Sequence, residues 1–205
     1  MLNKDYLWPG FAAIALAIIF PIYWIYVFTA AGFDFPEGYY ENVLSFDISD
    51  WVYLFIGALE IYIYLSFKRI LHDRLNFHGV DILLVLMIYN TILFHFSLFG
   101  IDAYLFFGGE QTQENVQETL LKISWFVSIG CTIIYGLIGV LLGIMLLRHY
   151  NHLPEMLKIF AILTLVLNLF QLTFVFGFVV ILLFPISLLI LAVYFLQEPT
   201  MIEVV

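Results

Sequence analysis

The stretch Trp51–Phe67, WVYLFIGALEIYIYLSF, is long enough to cross most of a bilayer and carries one carboxylate, Glu60, near its middle. A charged side chain at that depth costs roughly 2.5–3.5 kcal/mol, so it is expected to face protein or water rather than lipid. Tyr53, Gly57, Glu60 and Tyr64 recur at spacings of four, three and four, the period of one helix face. Two phenols and a glycine therefore share a stripe with a mid-span acid. The rest of the chain reads as a bundle built around that stripe.

The composition agrees. Of 205 residues, 64% are hydrophobic and 11% charged, with a mean hydropathy of +1.05. A soluble domain carries about a quarter charged residues, so lipid is the expected solvent for most of this chain. No soluble stretch is long enough to fold separately, and residues 1–205 read as a single transmembrane domain. Cys131 is the single cysteine, which excludes an intrachain disulfide. A formal charge of −9 and the lack of a basic patch argue against nucleic acid as a partner.

The fold class is all-α, a polytopic bundle of six membrane helices. The expected spans are 8–31, 51–67, 80–101, 120–147, 157–174 and 177–196. The apolar stretch from Phe11 to Phe28 is too long for a signal-peptide core, so a retained first span is expected. Pro21 falls inside that span and should kink it. Asp50 or Ser49 can cap the second helix. The run Leu157–Leu196 holds 40 residues with no charge after Lys158. As one helix it would be about 60 Å long, twice a hydrocarbon core, so two short spans meeting near Gly177 are preferred. Five spans plus a re-entrant segment is the alternative.

Lys4, Lys68, Arg69, Arg74, Arg148 and Lys158 fall on one side of this layout, and only Lys122 lies near the other. Nine acids lie opposite: Asp34, Glu37, Glu41, Asp47, Asp50, Asp102, Glu110, Glu114 and Glu118. The positive-inside rule then places both termini in the cytoplasm, in the plasma (inner) membrane if the source is bacterial.

Three constellations carry candidate chemistry. Glu60, Asn90, His95, Asn168 and Gln171, with Tyr64, form a polar set in the middle of the spans, expected at comparable depth. Such groups can bind a cation or relay protons, or hydrogen-bond one another as interhelical glue. Ser128, Thr132, Gly136, Gly139 and Gly143 form a small-residue ridge that lets another helix approach closely, in the same chain or in a second copy. His72, His78, His149 and His152 gather at the basic edge with Asp73, Asp81 and Glu155, but they do not match the richer histidine sets of membrane di-iron oxygenases and read as interfacial polar caps, so no metal or cofactor is expected. No Walker loop, dinucleotide fingerprint or nucleophile elbow is present.

These features point to a small membrane protein, expected to be homo-oligomeric, that provides an ion or proton pathway through a mid-membrane acidic site. A non-catalytic scaffold or sensor subunit of a larger membrane complex is the alternative. An enzyme acting on lipid at the cytoplasmic histidines is a third and weaker reading.

Overall fold

With no water to bond, the backbone of an apolar run closes its hydrogen bonds within itself, and helices result. The computed structural model describes residues 4–31, 46–108, 114–173 and 177–197. These residues form six α-helices: α1 (Leu7–Ala31), α2 (Ile48–Leu75), α3 (Asp81–Gly108), α4 (Glu114–Arg148), α5 (Glu155–Leu172) and α6 (Gly177–Leu196). All six are long and apolar enough to cross a bilayer. Short 3-10 turns, Lys4–Tyr6 and Tyr150–His152, precede α1 and follow α4. The acidic loop residues Asp34, Glu37, Glu41 and Glu110 lie outside the described residues.

The run 157–196 holds two helices among the described residues, α5 and α6, which pack against each other, and each is long and apolar enough to cross a bilayer. Most helices run past the expected spans. α2 continues through Lys68–Leu75 and α3 to Gly108, because hydropathy marks the apolar part of a helix and not the point where its backbone stops. α4 is one unbroken helix of 35 residues, about 52 Å at 1.5 Å per residue.

The ends have local causes. Asp47, rather than Asp50 or Ser49, is the N-cap of α2, and its carboxylate accepts from the Ser49 N–H at 2.6 Å. Asp50 sits three residues on and closes a capping box by accepting from the Asp47 N–H at 2.7 Å. At the other end, Asn76 adopts the left-handed region with φ 47°, and its N–H bonds to the His72 carbonyl at 3.0 Å. Asparagine tolerates that conformation better than most residues, and the chain turns there into α3.

The helices form a closed ring. Each packs against its neighbours in the sequence, and α6 returns to pack against α1. The base-rich end of the ring is tied by long-range polar contacts. The Tyr6 hydroxyl donates to Asp73 at 2.5 Å, and Arg74 donates to the carbonyls of Tyr194 and Gln197 at 3.1 and 2.8 Å. Arg74 also lies over the rings of Tyr6 and Tyr194. Inside this end the ring is filled by an apolar core in which Leu16, Ile70, Leu71, Leu84, Leu146 and Leu157 are fully buried. The outer faces invert the pattern of a soluble protein, with Ile22, Phe55, Tyr89, Phe96, Phe126 and Leu182 exposed.

The small-residue ridge of α4 meets α5 of the same chain. A β-carbon at Gly136 would press on Leu172, one at Gly139 on the Asn168 side chain, and one at Gly143 on Leu165. Ser128 and Thr132 turn their hydroxyls back to the carbonyls of Ser124 and Ser128. Helices α4 and α5 can approach this closely because the three glycines of the ridge carry no side chains.

Two expected outcomes follow from this packing. A methyl at Gly143 would lie 3.0 Å from the Leu165 backbone nitrogen and 3.1 Å from its Cα, atoms that cannot step aside alone. Gly143→Ala should therefore cost about 1–3 kcal/mol by overpacking. Gly130→Ala meets nothing within 4 Å and should be neutral or gain up to about 1 kcal/mol; thermal unfolding of the two variants in micelles checks the contrast. The second concerns Tyr6, whose phenol is held well above its ordinary value of 10.0 by burial and then by the Asp73 carboxylate it bonds. That bond contributes below pH 10 and is lost as the pH rises beyond it. The melting-temperature advantage of wild type over Tyr6→Phe should shrink above pH 10, and a gap independent of pH would refute the contact.

Candidate functional site

All six helices contribute to a single cleft of about 240 Å³. It lies toward the acid-rich end, where α1 and α5 finish and α2 and α6 begin. Its polar lining consists chiefly of Glu60, Asn90, Thr91, His95, Gln171 and Thr132, and its walls are aromatic, from Phe20, Trp24, Phe28, Tyr53, Phe94 and Phe184. Among the described residues, no lysine or arginine lines the cleft.

The expected stripe on α2 faces inward, with Tyr53, Gly57, Glu60 and Tyr64 all buried. Glu60 is 7% exposed, and its carboxylate accepts from the Thr91 hydroxyl of α3 at 3.3 Å. Gly57 makes room for His95. A β-carbon at that position would sit 2.5 Å from the ring's Cγ. The imidazole also stacks on Tyr53, with centroids 4.4 Å apart. Its Nδ1 lies 3.0 Å from the Thr91 carbonyl, which can only accept, so Nδ1 carries a proton and Nε2 is the acceptor of the neutral ring.

Two amides grip consecutive carbonyls of α4 from opposite sides. Asn90 Nδ2 of α3 donates to the Cys131 carbonyl at 3.1 Å, and Gln171 Nε2 of α5 donates to the Thr132 carbonyl at 3.0 Å. Each amide thereby keeps its own carbonyl oxygen as an acceptor. Pro185 of α6 adds to this balance. Lacking an N–H, it leaves the Ile181 carbonyl without its intrahelical donor, and Ile181 lines the cleft.

The expected polar set is thus divided. Glu60, Asn90, His95 and Gln171 line the cleft, whereas Tyr64 and Asn168 line a smaller cavity of about 30 Å³ on the side of the base-rich end. Asn168 is therefore not at the depth of Glu60. Its amide nitrogen donates to the Thr164 carbonyl at 2.7 Å, one turn back on its own helix, and its Oδ1 is buried without a hydrogen-bond partner. The partition between the cavities is formed by Tyr64 and Tyr135, whose hydroxyls are hydrogen-bonded to each other, with Phe184 beside them. The smaller cavity has room for roughly one or two waters.

Several contributors escape a reading by sequence. Tyr135 lies one turn from Cys131 in an apolar run. Asp102, buried on α3, lies close enough to Asp50 for their charges to interact, and its Oδ1 has no hydrogen-bond partner. Tyr23, stacked on Tyr53, lies in the field of both acids. The signal for Asp102 was available, as an acid one turn beyond Leu98 in a helix with few others.

The histidines of the base-rich end separate as well. α4 stops at Arg148, so His149 and His152 do not share an α-helical face; His149 bonds the Met145 carbonyl and its ring lies tilted against Phe77. Among the described residues, the ligand atoms of His72, His78 and Asp81 lie within 4.8 Å of one another. Asp81 is already engaged, with His72 Nε2 at 2.6 Å, His78 Nδ1 at 3.7 Å and Lys68 Nζ at 4.0 Å. The cluster ties the end of α2 to the start of α3 as an ion-pair network, and its geometry would admit a divalent ion only by displacing those contacts.

The close fit of His95 on Gly57 gives an expected outcome. Gly57→Ala should lower thermal stability by about 1–3 kcal/mol through overpacking, more than the roughly 1 kcal/mol that alanine returns in a helix. Combined with His95→Ala, the penalty should largely vanish, because the methyl then has space. Additive losses in the double mutant would refute the contact.

Comparison with known proteins returns no match to this chain, whether among protein-family models, curated proteins or solved structures.

Proposed function

We propose that the chain is an integral membrane protein that takes a cation or proton into the cleft at Glu60, as the loading site of an ion or proton pathway. The observation that carries this reading is the convergence of six helices on one cleft in which, among the described residues, no lysine or arginine faces the acid. An unpaired buried charge is expensive, so the carboxylate either keeps its proton or meets a cation delivered from outside. The lipid setting is supported by six apolar helices with exposed aliphatic and aromatic outer faces. By the positive-inside rule, the end bearing Lys68, Arg69, Arg74, Arg148 and Lys158 faces the cytoplasm, and the cleft is loaded from the opposite side.

Passage onward would require the Tyr64–Tyr135 pair to part, and beyond it the layer that includes Phe67, Leu142 and Leu157. That arrangement favours a gated or carrier-like route over an open pore. One chain supplies the whole cleft, so the reading does not need a second copy, although homo-oligomers or other membrane subunits fit the exposed faces. The same blockage favours a second reading, a sensor subunit in a membrane complex that binds at Glu60 and passes nothing.

Liposomes containing the purified chain and a pH-sensitive dye test the first reading. Wild type should dissipate an imposed proton or Na⁺ gradient, and Glu60→Gln should slow it at least about tenfold, the equivalent of one charge-assisted hydrogen bond, with unchanged helix content. Full flux in Glu60→Gln would overturn the mechanism, and Glu60-dependent binding without flux would select the sensor reading.

A further inference from the structure

We infer that the cleft takes a small organic ammonium, a primary or secondary amine carried on an apolar body of about one aromatic ring. The inference rests on the reading of Glu60 as a cation site and names its ligand class. The first argument is hydrogen-bond balance. Thr91 spends its hydroxyl proton on Glu60, His95 spends its Nδ1 proton on the Thr91 carbonyl, and the amides of Asn90 and Gln171 are anchored on α4 carbonyls. What remains for a ligand is a set of acceptors, the Glu60 carboxylate, the side-chain carbonyls of Asn90 and Gln171 and His95 Nε2, beside the second N–H of each amide, and the one group among them able to carry a charge as an acceptor is Glu60. Such a site rewards a ligand with several N–H donors and a positive charge.

The second argument is the walls. A bare hard cation seeks about six or more oxygen ligands at close range. Here the acceptors are few and share the cleft with Phe20, Trp24, Phe28, Tyr53, Phe94 and Phe184. Aromatic faces attract weakly hydrated organic cations and also bury an apolar body. The third argument is size. About 240 Å³ falls below the roughly 300–1,000 Å³ of drug-sized sites, which limits the ligand to one ring and a short arm. An anion is disfavoured by Glu60 and by the absence of lysine and arginine from the lining.

The test titrates the full chain in detergent micelles with benzylamine, benzyl alcohol and benzoate, which share one ring and differ in charge and donors. Intrinsic tryptophan fluorescence reports binding through Trp24, and Trp24→Phe identifies that signal. Benzylamine should bind at least about tenfold more tightly than benzyl alcohol, benzoate should not bind, and Glu60→Gln should weaken benzylamine roughly ten- to hundredfold and the alcohol by a much smaller factor. The comparison of the three probes on wild type decides the matter even if Glu60→Gln fails to fold. Equal affinity for amine and alcohol, or tighter binding of benzoate, overturns the ammonium assignment. If that result comes with intact Glu60-dependent proton or Na⁺ flux, the cation pathway stands and only its ligand class is wrong; if flux is also independent of Glu60, both are wrong.

Discussion

A carboxylate in an apolar bundle must be answered by something, and the way this chain answers Glu60 organises much of the remaining structure. Its hydrogen-bond partner is the Thr91 hydroxyl on α3, which ties α2 to α3 at that level. Gly57, one turn away, lets the His95 ring drop against α2, so the same pair of helices is held twice, by a hydrogen bond and by a close approach. Neither contact brings a positive charge. The deficit of charge is what makes the site a candidate for binding rather than for structural glue alone, since an interhelical hydrogen bond in membrane bundles contributes only about 0.6 kcal/mol on average.

The opposing ends of the ring are built on different chemistry. At the base-rich end, charges are paired or stacked: Tyr6 with Asp73, Arg74 with two carbonyls and two rings, and Asp81 with His72, His78 and Lys68. Basic residues at the ends of α2 and α4 also lie where the helix dipole favours them. Toward the other end the ring carries buried acids, Asp50, Asp102 and Glu60, and a cleft instead of a filled core. The apolar layer between the cleft and the base-rich end makes the site one-sided, which links the packing of Leu142, Leu157 and Phe67 directly to how any ligand would move.

The α4 helix is the axis on which the polar elements are hung. Its glycines admit α5, and its carbonyls at Cys131 and Thr132 hold amides from α3 and α5. Those two contacts orient Asn90 and Gln171 so that their oxygens remain as acceptors. The small-residue ridge and the polar set, separate features in the sequence, are one device in the fold: close packing of α4 on α5 is what brings Gln171 within 3.0 Å of the Thr132 carbonyl.

Six apolar helices and the inward stripe of α2 were legible in the sequence, because lipid-crossing length and a 3.6-residue period are properties of contiguous residues. The ridge was legible for the same reason. The identity of its partner was not, since whether Gly139 meets Asn168 or a second copy depends on which helix lies beside it. Closure of the ring by α6 on α1 joins residues more than 150 positions apart, and no local pattern encodes it. Tertiary packing likewise chose Thr91 over Asn90 as the partner of Glu60, moved Asn168 and Tyr64 into a separate cavity, and put the Tyr64–Tyr135 pair between them. Periodicity says which face a residue occupies, but depth and partner are decided by the relative shift of helices, and that shift is set by side-chain volumes such as the missing one at Gly57.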